Sequence, residues 1–169
     1  MDYKKYNTKM NLNLPQRHFN IKTDNNGNRL IFDKLRRRFV SLTPEEWVRQ
    51  NFVEFLIQDK GFPKGLMCNE VSLTQNGISR RCDTIVTDRF GNPAVIVEYK
   101  APHIKITQCV FDQICRYNMV LKASYLIVSN GLKHFCCHID YDVNSYSFLN
   151  DIPRYNDLFP TSQCQSSPK

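Results

Sequence analysis

Arg81-Cys82-Asp83-Thr84-Ile85-Val86, then Asp88-Arg89-Phe90-Gly91-Asn92-Pro93, then Ala94-Val95-Ile96-Val97-Glu98-Tyr99-Lys100 is the stretch that decides the fold. Two apolar runs enclose a turn rich in Gly, Asn and Pro, the pattern of a β-hairpin. Side chains two apart on a strand share a face, so Glu98 and Lys100 project together, and Asp83 can meet them from the neighbouring strand. Carboxylates are hard oxygen ligands of the kind Mg²⁺ takes, and a bound metal lowers the pKa of its water and neutralises charge on a phosphate. A lysine beside such a site would orient or deprotonate the nucleophile. An isolated Asp…Glu-x-Lys is more often a solvated surface ion pair of little energetic weight, because such patterns recur by chance. The neighbouring sequence therefore has to decide.

Upstream, Thr43-Pro44-Glu45-Glu46 is a helix start: Thr43 caps, Pro44 takes the first helical position, and Glu46 stands three residues after the cap as a capping box requires. The spacing predicts a helix to about Lys60, where Gly61 stops it. Trp47, Val48, Phe52, Phe55 and Leu56 form a core-facing stripe, and Glu46, Arg49, Gln50 and Glu54 form a polar face. Leu66 to Leu73 reads as a strand, closed by a turn at Thr74-Gln75-Asn76-Gly77. Downstream of the hairpin, Ala101-Pro102 breaks the strand and a helix is expected from about Thr107 to Leu121, with Val110, Ile114 and Tyr117 at helical spacing. Ser124–Ser129, Lys133–Asp140 and a short run through Tyr146-Ser147-Phe148 read as further strands. A helix between the third and fourth strands implies a crossover, hence an α/β fold with a mixed central sheet flanked by helices.

The boundaries follow from composition. Residues 1–28 form an N-terminal arm, 29–158 the domain, beginning with a short strand at Arg29-Leu30-Ile31-Phe32, and 159–169 a polar, disordered tail. At 169 residues the chain suits one domain with a core of ordinary size. Its seven cysteines are an odd number without a Cys-x-x-Cys pair, and the first 20 residues lack a signal-peptide core, so a reduced, cytoplasmic protein is expected. No apolar run approaches the roughly 20 residues needed to cross a bilayer. A formal charge of +7 favours a polyanionic partner, nucleic acid first. The cluster Lys34, Arg36, Arg37, Arg38 would grip phosphates or form a solvated connection. His134, Cys136 and His138 would share a strand face, but structural zinc sites pair ligands across turns, so buried thiols with exposed histidines are expected there.

Taken in order, Leu42-Thr43-Pro44-Glu45-Glu46-Trp47-Val48-Arg49-Gln50, Arg81-Cys82-Asp83, Val97-Glu98-Tyr99-Lys100-Ala101-Pro102, Asp112-Gln113-Ile114-Cys115-Arg116-Tyr117-Asn118 and Ser129-Asn130-Gly131 resemble the N-terminal nuclease domain of type I restriction enzyme R subunits, a branch of the PD-(D/E)-x-K nucleases with a restriction-endonuclease-like fold. Cys82 stands where that pattern has proline, and no Walker A glycine-lysine motif follows. The resemblance implies a Mg²⁺-dependent DNA endonuclease, with Mn²⁺ able to substitute. Asp83, Glu98 and the Tyr99 carbonyl would hold the metal, Lys100 would assist the attacking water, and a helix-one acid would complete the site. Glu46 is the first choice for that acid, although it also fits the capping box alone; Glu45 and Glu54 are the alternatives. Gln113 and Tyr117 match a Gln-x-x-x-Tyr element beside the metal, or else form a polar helix edge with a core tyrosine. Arg36, Arg37, Arg38, Arg49, Arg81 and Tyr117 are assigned to nucleic-acid contact. DNA and other restriction-system subunits are the implied partners. The alternative function is a non-catalytic nucleic-acid-binding or assembly module that keeps the fold.

Overall fold

A computed structural model describes residues 11–75 and 78–159. Its centre is a six-stranded sheet in sequence order: β4 (Met67–Gln75), β5 (Ile78–Thr87), β6 (Pro93–Tyr99), β7 (Tyr125–Ser129), β8 (His134–Asp140) and β9 (Ser145–Leu149). Neighbours pair antiparallel except β6 and β7, which run parallel because a helix, α2 (Gln108–Leu121), joins them. The turn expected at Thr74 to Gly77 lies partly outside the described residues, although the pairing reaches Gln75↔Ile78.

Both faces of the central strands are buried, so they are continuously apolar rather than alternating. Val95, Val97, Ile127 and Cys136 face α1 (Pro44–Gln58) and pack with Val48, Phe52 and Leu56. Ile96, Leu126, Val128 and Cys137 face the other way, towards Val110 and Ile114 of α2. Thr43 caps α1 as its sequence requires, its hydroxyl accepting from the Glu46 amide at 3.0 Å. A four-residue helix, α3 (Tyr155–Leu158), sets Tyr155 edge-on against Phe62.

A second, three-stranded sheet precedes α1: β1 (Ile21–Thr23), β2 (Arg29–Asp33) and β3 (Arg38–Ser41), all antiparallel. This small sheet changes the reading of α1. Its polar face is not exposed: Glu46, Arg49, Gln50 and Glu54 are buried, because the β2–β3 turn closes over them with Lys34 on Glu54 and Arg36 on Glu46.

Residues 11–14 lie against the core. The Asn13 amide donates to the Gly131 carbonyl at 2.7 Å, and Leu12 packs beside Val48. Gly131 has φ +81°, and a Cβ there would sit 2.6 Å from a Leu12 methyl and 3.1 Å from Val48. Gly131→Ala is therefore expected to cost about 1–3 kcal/mol from the left-handed backbone and the displaced leucine. Chemical denaturation of the variant checks this; an unchanged midpoint would mean the turn can flip without consequence.

Candidate active site

The antiparallel pairing of β5 and β6 holds as far as Thr84↔Val97, and continuing it one step sets Asp83 opposite Glu98. The strands part there. The backbone bond that would follow is replaced by a side chain: the Tyr99 amide donates to Asp83 Oδ2 at 2.8 Å. Residue 100 turns the other way, its amide donating to the Ser129 carbonyl of β7. Since the N–H and C=O of one strand residue leave on the same edge, the Tyr99 carbonyl also emerges on the Asp83 side.

Glu98, Lys100 and Gln113 meet on the α2 side of the sheet. Glu98 Oε1 accepts from Lys100 Nζ at 2.8 Å and from Gln113 Nε2 at 2.7 Å, and Lys100 Nζ lies 3.4 Å from Gln113 Oε1. Among the described residues, Glu98 Oε2 is buried without a hydrogen-bond donor. Burial, then the Asp83 charge, pushes the Glu98 carboxyl up to about 7. Burial also raises Asp83, against the pull of Arg49. Lys100 moves the other way from a desolvated amine: burial would lower it, but the Glu98 hydrogen bond and charge prevail and raise it. Lys100 is thus a cation at neutral pH, suited to holding a nucleophile or negative charge in place rather than to taking a proton.

Helix α1 contributes from its first turn. Glu45 is half exposed, and its carboxyl is raised first by burial and then by Asp83, with Lys100 acting in the opposite sense. It belongs electrostatically to the Asp83–Lys100 group. Glu46 has a different position: Oε1 accepts from Arg36 of the β2–β3 turn and from Gln50 of α1, and Oε2 from Arg49 of α1 at 2.7 Å, so both its oxygens are taken. Glu54 binds Lys34. Of the three helix-one acids expected from the sequence, Glu45 is the one whose surroundings are those of Asp83.

The cations separate into two groups. Arg49 is buried, with Nη2 on Asp83 Oδ1 at 2.9 Å and Nη1 on both Glu46 and Glu70 at 2.7 Å. Arg36 is tied to Asp33 and Glu46. Both were expected at a nucleic-acid surface from sequence, and both are committed to internal carboxylates instead. Arg37 and Arg38 are exposed at the β2–β3 turn, and Arg81 is 65 % exposed with its Nε on Glu70. The Tyr117 side chain lies outside the described residues. His134 shares its Nδ1 with Ser129 Oγ and its Nε2 with the Asn13 carbonyl, while Cys136 and Cys137 are buried.

Sequence reading missed two members of this region. Asp33 is buried and accepts from Arg36 and Asn69; Asn69 in turn accepts from Thr84, whose hydroxyl receives the Tyr99 phenol. Glu70 stands mid-strand at φ +59°, and the β4–β5 register skips it between Asn69↔Thr84 and Val71↔Cys82. Neither carries a motif. β4 mixes polar and apolar residues, so Glu70 does not stand out within it.

Asp83, Glu98 and the Tyr99 carbonyl would offer oxygen donors of the kind hard divalent cations take, and among the described residues Glu98 Oε2 is a buried acceptor with no donor. Among the described residues no three His, Cys, Asp or Glu side chains are already gathered as a metal cage.

A mixed sheet carrying this group has a counterpart of known structure. The fold is similar to a fragment of a protein described as an HsdR subunit of a type I restriction enzyme from Vibrio vulnificus YJ016, with TM-score 0.53 and 20 % identity over 70 % of this chain. This chain spans 25 % of that one. The sequence carries the assignment further: residues 44–153 match the profile of the type I restriction enzyme R protein N terminus, and the chain belongs to that family. Among curated proteins none matches this chain.

Proposed function

We propose that this domain is a Mg²⁺-dependent nuclease with a restriction-endonuclease-like fold, hydrolysing DNA phosphodiester bonds in a restriction or DNA-defence setting. The observation that carries the reading is the buried Glu98 carboxylate with one oxygen unpartnered, beside Asp83 and a Lys100 held as a cation. Asp83, Glu98 and the Tyr99 carbonyl would hold the ion, and Glu45 rather than Glu46 is the helix acid positioned to take a bound water. When present, the ion supplies Lewis-acid polarisation of the phosphoryl oxygen and a water of lowered pKa.

The chain's own groups do the rest. Gln113 fixes Glu98 and meets Lys100, so the ammonium is aimed by two partners. Lys100 then orients the nucleophile and opposes charge gathering on the phosphate. Exposed Arg37, Arg38 and Arg81 track the backbone, which makes binding fall steeply with added salt. The family supports a restriction-system context, in which other restriction subunits and DNA are the partners.

Plasmid cleavage in Mg²⁺ tests the reading. Lys100→Ala is expected to slow cleavage about 10²- to 10³-fold, the range for removing one preorganised charge-stabilising donor. Cleavage at the wild-type rate would remove Lys100 from the mechanism. A second reading, nucleic-acid binding without turnover, draws on the Arg49–Asp83 ion pair, which satisfies Asp83 with no metal. Calorimetry with Mn²⁺ separates the two, because a scaffold has no need to bind the ion.

A further inference from the structure

We propose that Arg49 and Glu70 form a positioning pair that governs metal entry: Arg49 reserves the Asp83 oxygen as a tethered counter-ion, and Glu70 is the carboxylate that retains Arg49 when a divalent ion takes that oxygen. The inference rests on the nuclease reading above. It assigns roles to two residues that neither ligate the ion nor touch substrate.

The geometry is specific. One guanidinium reaches Asp83 through Nη2 and both Glu46 and Glu70 through Nη1, while its Nε is buried without a partner among the described residues. A guanidinium has five N–H donors in a fixed fork, so this one holds several carboxylates at once and still has a donor unspent. Losing the Asp83 contact would leave it anchored by Glu46 and Glu70. The Tyr99 amide donates to Asp83 Oδ2, a bond that would keep the carboxylate oriented were Arg49 to leave Oδ1.

Glu70 is placed for this at a cost. A non-glycine residue at φ +59° in mid-strand is strained and gives up its place in the ladder between Asn69 and Val71. The distortion turns its carboxylate so that Oε1 reaches buried Arg49 at 2.7 Å and Oε2 reaches exposed Arg81 at 2.6 Å. A structural ion pair at the strand edge would need no such backbone. The site also lacks positive charge to spare: Glu45, Glu46, Glu70, Asp83 and Glu98 face Arg36, Arg49, Arg81 and Lys100, so an arriving divalent ion and Arg49 compete for the same negative field.

Mn²⁺ binding to the full chain, measured by calorimetry in the absence of nucleic acid, tests this. Arg49→Met removes the competitor and should tighten Mn²⁺ roughly tenfold, since a unit charge within a few ångströms of the ion is deleted. Glu70→Gln should weaken Mn²⁺ several-fold in the wild-type background and by less than about twofold when Arg49 is already Met, because contacts that act through one another are non-additive. If Arg49→Met does not fold, Arg49→Lys serves: a point ammonium cannot hold both carboxylates in a fork, so Mn²⁺ should still bind a few-fold tighter. Unchanged or weaker binding in the folded Arg49 variant, or an equal Glu70→Gln effect in both backgrounds, overturns the proposal. No Mn²⁺ binding by the wild-type chain would instead overturn the nuclease reading itself.

Discussion

Glu98→Gln is expected to abolish measurable Mn²⁺ binding while making the metal-free protein more stable at pH 8. The two effects share one cause. Glu98 is 3 % exposed and its Oε2 has no donor among the described residues, so above its raised titration near 7 the fold holds a buried, half-satisfied charge. An amide keeps an oxygen for Lys100 and Gln113 and removes that charge, which at pH 8 is worth about 1–3 kcal/mol on the scale of an unsatisfied buried polar group. The sign is checkable by pH. A carboxyl raised in the folded state stabilises the fold fully below its unfolded value near 4.5, and the contribution is lost as pH rises through about 7. Metal-free wild type should therefore melt lower at pH 8 than at pH 5 through this group, and the glutamine variant should lose that part of the slope. Metal affinity runs opposite: below 7 the ion must displace a proton, so Mn²⁺ binding should strengthen by up to about tenfold per pH unit until Glu98 is ionised. A glutamine variant that melts below wild type at pH 8 would show that the carboxylate is already satisfied.

The sheet and both long helices were legible because each carries a local signal that the final packing does not override. The β5–β6 hairpin has its Gly/Asn/Pro turn, α1 has Thr43 and Pro44, and α2 has Val110 and Ile114 on one face. Asp83, Glu98 and Lys100 were legible together because strand alternation fixes faces without knowledge of the fold, whereas Gln113, on α2, was reached only through the family resemblance. The N-terminal sheet was hidden: β1 has three residues, and β3 begins inside the basic run Arg36-Arg37-Arg38, whose charge reads as solvated. That single omission misled everything beneath it. With no cover over α1, its Glu46, Arg49, Gln50 and Glu54 read as a polar surface, whereas Lys34 and Arg36 from the β2–β3 turn close over them. Glu46 was the first choice for the site acid, yet its oxygens are taken by Arg49 and Gln50 of its own helix and by Arg36 of the hairpin. Glu70 was illegible for another reason: left-handed backbone in a non-glycine residue has no sequence signature.

The small sheet also yields the largest stability effect, at Asp33. Its carboxylate is wholly buried and accepts from the Leu35 and Arg36 amides, the Arg36 guanidinium and Asn69. Burial opposes its ionisation, but the Arg36 and Asn69 bonds outweigh it and hold the carboxyl below its usual range. Asp33→Ala would leave the Arg36 guanidinium to Glu46 alone and the Asn69 amide N–H without its acceptor, and breaking a buried pair in this way costs about 3–5 kcal/mol. For a chain of this size that is roughly 10 °C in Tm. The consequence reaches the site through two routes, one from Arg36 through Glu46 to Arg49 and Asp83, the other from Asn69 through Thr84 to the Tyr99 phenol. Asp33 precedes residue 44, where the family match begins. A loss of Mn²⁺ affinity in Asp33→Ala, measured well below its Tm, would make the N-terminal sheet a working support of the metal site; full affinity in a destabilised variant would confine it to holding α1 in place.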